Sequence, residues 1–414
     1  MLEVLISLCI VVVVFNWLLV LNILIIYFVF LLLLIYDGNS YLLSMIFILL
    51  SIWLIIMMMM CVDDDIKSNE LLLIFIFLLI MLYLVFFSES LMVFYMSFEM
   101  SVIPILLIIF GWGYQPDRIE AGFYMLSYTV FFSLPLLVGI FYMEEMESLN
   151  SMIMCLMFLL AFLAKFPMFG LHLWLPRAHV EAPIFGSMVL AGVMLKLGGF
   201  GFIKVSMILG DYFMKFTNLL IILSILGGVL LSGVCFIQSD VKMLVAYSSV
   251  VHMSIVISGL LTFSEIGLEG GVFIMIGHGF CSSGLFCILG MTYSRTLTRS
   301  MFLNKGFISI IPSCSLWWFL FCSSNLAFPP CLNLPGELFL FISILSWSKN
   351  LFLLMGLLGL LSAMYSIYLF SFSQQGVCFK FFSFKNLSLK ESMILMLHWI
   401  PLNIFILDLS VLTV

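Results

Sequence analysis

Charged residues are scarce in this sequence, at only 9% of its 414 residues, against roughly 25% in soluble domains. No Gly/Ser-rich linker or low-complexity tail interrupts the chain, so no separate soluble domain is expected. Basic residues are fewer than acidic ones and the formal net charge is -6, which offers no basic patch for nucleic acid. The ten cysteines form no CxxC pair and lie mostly in apolar runs. They are therefore expected to be small buried hydrophobic residues rather than disulfide partners or iron–sulfur ligands.

Apolar residues are abundant instead, at 65% of the chain with a mean hydropathy of +1.32. A spanning helix needs about 20 apolar residues, and runs of that length alternate with short polar loops. The sequence therefore predicts an all-α, polytopic membrane protein of about 13 transmembrane helices in one membrane domain, 1–414. The predicted spans are 3–34, 41–61, 70–87, 89–111, 122–142, 151–176, 183–204, 216–237, 242–262, 270–291, 305–348, 350–373 and 391–412.

Ionisable residues stand inside several of these apolar runs. Lys165 and Lys196 lie in the middle of theirs, and Glu99 lies roughly 13 Å into its span. His252 and His278 lie roughly 18 and 12 Å into theirs. Charge at bilayer depth is costly, so such residues face the protein interior and indicate function. The structural alternatives are a static ion pair for Glu99 and interhelical hydrogen bonds for the histidines.

Helix breakers accompany two of the ionisable residues. Pro167 follows Lys165, whereas a Pro-Pro pair at 329–330 and Pro335 precede Glu337. We predict helix breaks at Pro167 and Pro335, because the backbone groups freed by proline are tolerated at bilayer depth only beside protein or a water-filled cavity. Paired broken helices in the two halves of a transporter indicate its ion path. The spacing from Lys165 to Glu337, 337 minus 165 or 172 residues, suits one duplication of a five-helix repeat.

The buried groups are predicted to form a proton relay. Burial disfavours the cationic form of a lysine, and a neighbouring carboxylate restores it, so one ion pair can control proton binding. Histidine titrates near neutrality and passes protons in either direction. The predicted relay consists of Glu99, Lys165, Lys196, His252, His278 and Glu337.

Six longer strings carry a family resemblance. They are FEMSVIPILLIIFGWGYQPDRIEAGFYMLSYT (98–129), GLHLWLPRAHVEAPIFGSMVLAGVMLKLGGFG (170–201), QSDVKMLVAYSSVVHM (238–253), GHGFCSSGLF (277–286), LAFPPCLNLPGELF (326–339) and MYSIYLFSFSQQG (364–376). They resemble the chain 4 family of mitochondrial NADH:ubiquinone oxidoreductase, respiratory complex I. This family belongs to the antiporter-like membrane subunits, and the resemblance runs from about residue 36 to the C-terminus.

The resemblance implies two inverted five-helix repeats, each with a broken helix, and a proton path through the membrane arm. We place repeat one at 68–205, repeat two at 216–373 and a C-terminal helix at 391–412. Glu99 matches the family glutamate of the first repeat, and Lys165 and Lys196 match its two lysines. His252 and His278 match histidines of intervening helices, and Glu337 matches the acidic residue of the second broken helix. The family has fourteen helices, two of which precede the segment that begins near residue 36. Here only about 35 residues precede that segment, so we count thirteen.

The resemblance also implies a cellular setting. The expected location is the mitochondrial inner membrane, with the lipid bilayer and other membrane-arm subunits, especially neighbouring antiporter-like ones, as partners. No cofactor is expected in this chain, whereas NAD, FMN, iron–sulfur clusters and ubiquinone belong to other subunits. Three alternatives stay open: a sodium/proton antiporter subunit, a structural subunit with a vestigial relay, and a redox protein in which His252 and His278 ligate haem.

Overall fold

The computed structural model describes residues 16–36, 42–145, 152–209, 214–377 and 385–413. The first helices are α1 (Trp17–Tyr36), α2 (Leu42–Cys61), α3 (Asn69–Phe87), α4 (Leu91–Met100), α5 (Val102–Trp112), α6 (Arg118–Glu145), α7 (Met152–Lys165), α8 (Trp174–Glu181), α9 (Ile184–Val189) and α10 (Leu195–Leu209). The others are α11 (Met214–Cys235), α12 (Val241–Leu260), α13 (Glu265–Thr296), α14 (Phe307–Ile310), α15 (Pro312–Asn325), α16 (Asn333–Trp347), α17 (Phe352–Gln374) and α18 (Leu389–Ile404).

Ten helical stretches among these residues are long and apolar enough to cross a membrane, which confirms the polytopic all-α fold. Two shorter apolar helices, Met154–Lys165 and Asn333–Trp347, lie on the two segments predicted to be broken. The stretches that carry Lys196, His252 and His278 are the most enclosed of the ten. Their polar groups therefore lie inside the protein rather than against lipid.

The described helices group into two compact units. The first contains the described residues up to 165 and from 181 to 209, and the second contains 166–180 and 214–413. In the first unit, α2 packs on α1, α3 and α9, and α6 packs on α7. In the second unit, α12 packs on α11 and α13, and α13 contacts α16 and α18. The repeat boundaries 68–205 and 216–373 stay a prediction.

The span predicted at 89–111 consists of two helices. Helix α4 ends at Met100, Ser101 forms a turn, and α5 begins at Val102. The interruption has a local cause, because Pro104 has no N–H to donate to the carbonyl four residues before it and its ring crowds that carbonyl. Glu99 therefore lies beside an irregular stretch of backbone rather than inside a regular helix.

Both segments that were predicted to be broken are interrupted, but only the first interruption contains the proline that was predicted to cause it. Residues 166–173, which include Pro167, separate α7 from α8, and residues 326–332 separate α15 from α16. Pro335 lies just after the interruption rather than within it, as the third residue of α16, the position that Pro104 has in α5. A first-turn N–H has no partner within its helix, so proline is tolerated there. The second interruption instead surrounds the Pro-Pro pair at 329–330.

The two chain ends also differ from the predicted spans. Helix α1 begins at Trp17, and residues 3–15 of the predicted first span lie outside the described residues. The C-terminal helix was predicted over 391–412, but α18 ends at Ile404. Beyond it, Asp408 accepts hydrogen bonds from the Ser410 N–H at 3.1 Å and the Ser410 hydroxyl at 2.5 Å, which starts a separate short turn.

One glycine lets a helix lie directly against the first interruption. A Cβ at Gly227 of α11 would lie 2.2 Å from the Phe169 Cβ, an atom that cannot move without its backbone. Gly227→Ala is therefore expected to lower the free energy of unfolding by about 1–3 kcal/mol, as overpacking does. The check is the melting temperature of the detergent-solubilised protein.

The matched control for Gly227→Ala lies on the same helix. A Cβ at Gly233 would have no atom within 4 Å, and alanine favours a helix over glycine by about 1 kcal/mol. We expect Gly233→Ala to keep or raise the melting temperature. Equal melting temperatures for the two variants would contradict the close approach of α11 to Phe169.

Candidate functional site

Lys165 is the last residue of α7. Pro167 disfavours a helical conformation for the residue before it, so the helix ends at the lysine. The side chain is buried, and its Nζ donates a hydrogen bond to the Phe98 carbonyl at 2.6 Å. The Ser101 hydroxyl donates to the same carbonyl at 2.7 Å. The Lys165 Nζ also lies 3.1 Å from the centroid of the Phe98 ring. The ammonium is thus held by neutral groups of α4.

Glu99 is the residue after Phe98 and interacts electrostatically with Lys165. The Ser133 side chain of α6 forms a hydrogen bond with the Glu99 carboxylate, whereas the Glu99 Oε1 is buried without a hydrogen-bond partner. Glu99 therefore interacts with Lys165 through charge, while the hydrogen bond of the ammonium goes to the neighbouring Phe98 carbonyl. A carboxylate with an open acceptor next to a buried ammonium can take up a proton.

Lys196 lies at the start of α10, in the first unit. The π turn Leu190–Met194 precedes it, and the Lys196 Nζ donates to the Ala191 carbonyl at 2.5 Å. The side chain is fully buried. Single π turns inside α-helices are frequent at functional sites, because they displace a carbonyl from the regular pattern. The sequence predicted the buried lysine but not the turn that supplies its acceptor.

His252, His278 and Glu337 meet in the second unit. The His252 Nδ1 lies 3.4 Å from the Glu337 Oε1, and the rings of His252 and His278 have centroids 5.5 Å apart. The His252 Nε2 lies 3.1 Å from the Tyr365 hydroxyl. Helices α12, α13, α16 and α17 each contribute one of these side chains. These titratable groups therefore form one cluster, centred on His252, in the interior of this unit.

The geometry of His252 bears on the haem alternative. Its two ring nitrogens face Glu337 and Tyr365. An axial ligand must offer a ring nitrogen to the iron, so this arrangement does not fit a haem held between His252 and His278.

Two residues of this site were absent from the sequence prediction. Tyr365 lies within MYSIYLF and is fully buried, and Ser133 of α6 is also buried. A buried tyrosine usually finds a hydrogen-bond partner for its hydroxyl, and this was the available signal for Tyr365. Ser133 carried no comparable signal, because serines are common throughout the spans.

Comparison with known proteins identifies a family. The model of the family described as NADH:quinone oxidoreductase/Mrp antiporter, TM, matches residues 88–362. The NADH-ubiquinone oxidoreductase chain 4 of Ceratitis capitata is 49% identical over 340 residues, which cover 79% of this chain and 76% of that protein. The chain 4 protein of Aedes aegypti is 49% identical over 327 residues, covering 75% and 73%.

Solved structures share the fold. A chain of respiratory complex I from Thermus thermophilus superposes with a TM-score of 0.81 at 24% identity, over 88% of this chain and 81% of that one. A chain of the Mrp complex from Dietzia sp. gives a TM-score of 0.78 at 18% identity, over 88% and 42%. At these identities the structures establish the fold alone. By the family model and the curated relatives together, this chain belongs to the chain 4 family of NADH-ubiquinone oxidoreductase, within the NADH:quinone oxidoreductase/Mrp antiporter membrane proteins.

Proposed function

We propose that protons cross the membrane through this chain by way of Glu99, Lys165 and Lys196 in the first unit, and His252, His278 and Glu337 in the second. In keeping with its family, the chain is a proton-translocating membrane-arm subunit of NADH:ubiquinone oxidoreductase, within a multi-subunit membrane complex. The observation that carries the proposal is the buried Lys165 ammonium, held at a helix interruption by a backbone carbonyl.

Lys165 and Glu99 would exchange a proton in the first unit. A protonated Lys165 is favoured while Glu99 is charged, since the two interact electrostatically. If a charge change in a neighbouring subunit drew Glu99 away or neutralised it, the ammonium would keep only its carbonyl acceptor and the Phe98 ring. Release of the proton would follow, because a buried cation without a counter-charge is costly.

His252 would carry the proton in the second unit. Its ring lies between a carboxylate and a phenol, so it can accept at one nitrogen while the other releases. Glu337 is 17% exposed at its side chain, whereas His252, His278 and Tyr365 are buried, so Glu337 would be the group of this unit that exchanges protons with water. Tyr365 would fix the ring orientation of His252, as a positioning residue.

The wider assignments belong to the same proposal. The partners would be neighbouring antiporter-like subunits, and the location would be the mitochondrial inner membrane. NAD, FMN, iron–sulfur clusters and ubiquinone would lie in other subunits. Within the described residues, no group of three or more His, Cys, Asp or Glu side chains is placed to hold a metal ion. We also propose 68–205 and 216–373 as the two repeats.

Sodium dependence tests the proposed function against the antiporter alternative. We expect the number of protons moved per NADH oxidised to stay unchanged when choline replaces sodium in vesicles of the assembled complex, because every group of the relay binds protons. The measurement is the pH change per NADH oxidised in the two salts. A ratio that falls without sodium would favour a sodium/proton antiporter, and a sodium-independent ratio that Lys165→Met leaves unchanged would favour a structural subunit.

Tyr365→Phe is expected to slow proton movement without abolishing it. The variant removes the hydrogen bond to the His252 Nε2, worth about 0.5–1.5 kcal/mol, which corresponds to roughly a two- to tenfold change in the population of the productive ring orientation. The check is NADH-driven proton pumping by the assembled complex. Tyr368→Phe is the control, since Tyr368 lies on the same helix and makes ring contacts with Phe236 and Phe372. Equal pumping by both variants would exclude the positioning role.

A further inference from the structure

Three buried phenylalanines of the first unit lie between the side chains of Lys165 and Lys204. Phe94 and Phe98, one helical turn apart on α4, are stacked with ring centroids 5.7 Å apart and an interplanar angle of 28°. The Phe162 ring of α7 meets Phe98 edge-on at 5.8 Å and Phe94 at 6.1 Å. Each of the three side chains is 1% exposed, so no bulk water reaches the space they fill.

A cation lies at each end of this aromatic cluster. At the inner end, the Lys165 Nζ is 3.1 Å from the Phe98 ring centroid. At the outer end, the Lys204 Nζ is 5.1 Å from the Phe94 ring centroid. Lys204 donates to the Ser88 carbonyl and interacts electrostatically with Glu89. Glu89 is exposed in the connection between α3 and α4, so the Lys204 end of the cluster lies next to an exposed part of the chain.

We propose that Phe94, Phe98 and Phe162 form an aromatic gate between the membrane surface at Glu89 and Lys204 and the buried Lys165, closed while the Lys165 ammonium lies on the Phe98 ring. The proposal rests on the proposed function and adds the control of water access to it. Protons move along waters between groups that do not touch, and stacked apolar rings exclude such waters. A cation over a ring face is attracted by the ring's quadrupole, and a neutral amine is not.

The gate would therefore follow the charge of Lys165. While the lysine is protonated, the attraction holds Phe98 against it and keeps water from the surface away. When the proton moves on, Phe98 loses that attraction and can rotate. Water then enters from the Lys204 side and brings the next proton. Lys204 would act as a positioning residue, because it ties the outer ring to the connection that carries Glu89.

A buried serine on the inner side of the gate allows a direct test. The Ser101 hydroxyl lies beside Lys165, with which it shares the Phe98 carbonyl, and Ser101 is buried. In the assembled complex carrying Ser101→Cys, the rate of modification by a small, neutral, water-soluble thiosulfonate reports water access past the gate. Peptide mass analysis separates this thiol from the native cysteines. We expect severalfold faster modification when Phe98→Leu is added, because leucine keeps apolar volume but offers no ring face.

Phe47→Leu is the matched control in the same unit. Phe47 is also buried and stacked, on Phe86 at 5.5 Å. With Phe47→Leu added instead, the Ser101→Cys thiol is expected to react at its original rate. Phe162→Leu replaces Phe98→Leu if the latter fails to assemble, with the same expectation. Unchanged modification with the gate variants, or equal acceleration by Phe47→Leu, would overturn the gate.

The gate and the proposed function can fail separately, because the labelling rate measures water access and not proton transport. If the gate variants change the labelling rate as expected but Lys165→Met pumps normally, the relay is contradicted and the gate is not. NADH turnover supplies a second readout on the Ser101→Cys complex. Modification is expected to be faster during turnover than at rest, and equal rates would contradict gating by the charge of Lys165.

Discussion

Lys165→Met is expected to abolish this chain's share of proton pumping while NADH oxidation continues. Methionine keeps the length and the apolar stem but binds no proton, and loss of a positioned acid–base group slows proton transfer by about 10²-fold or more. The measurement is the number of protons moved per NADH oxidised in vesicles of the assembled complex.

The Lys165 variant is expected to assemble. The Phe98 carbonyl keeps the Ser101 hydroxyl as a donor, and Glu99 keeps its hydrogen bond to Ser133, so few polar groups lose a partner. Removing one partner of a buried pair is costly when the other stays charged, but Glu99 has an acceptor oxygen without a hydrogen bond and can become neutral by taking up a proton. Lys390→Met, at an exposed position of α18, is the control and should pump normally. A normal ratio in Lys165→Met would remove Lys165 from the path.

Glu337→Gln is expected to cause an equally large loss from the second unit. The amide has nearly the same shape as the carboxylate, but it binds no proton and cannot balance a charged His252, 3.4 Å away. Proton release past His252 should again slow by about 10²-fold or more. The protons moved per NADH oxidised measure this loss, and the melting temperature of the complex checks assembly.

Glu265→Gln provides the comparison within the second unit. Glu265 is exposed in the first turn of α13, where a carboxylate stabilises the helix by about 0.3–1 kcal/mol. Its loss should leave pumping unchanged. Pumping by Glu337→Gln at the level of Glu265→Gln would show that the His252 and Glu337 contact is a static structural pair.

The sequence predicts the ends of helices well where apolar runs end at polar loops. The span predicted at 41–61 is α2 at Leu42–Cys61, and the span at 242–262 is α12 at Val241–Leu260. Prediction fails within apolar runs, because hydrophobicity does not register a turn that stays buried. The turn at Ser101 and the π turn before Lys196 are of this kind, and both lie beside predicted relay residues.

The candidate site was predictable in its residue types and less so in its contacts. A charge stranded in an apolar run is visible in a sequence because its energetic cost is local. Its partner need not be visible. The acceptor for Lys165 is a backbone carbonyl at Phe98, which no side-chain pattern reports. Tyr365 lies 113 residues from His252, and only the packing of α12 against α17 brings them together.

We propose that the two sets of groups act on one proton path, and the double variant Lys165→Met/Glu337→Gln decides whether they do. Groups that act in series each control the whole flow, so removing both costs no more than removing one. We measure protons moved per NADH oxidised for the two single variants and the double variant in the same vesicle preparation. We expect the same reduced ratio in all three variants. Two smaller losses that add up in the double variant would contradict it, because they would show two independent paths.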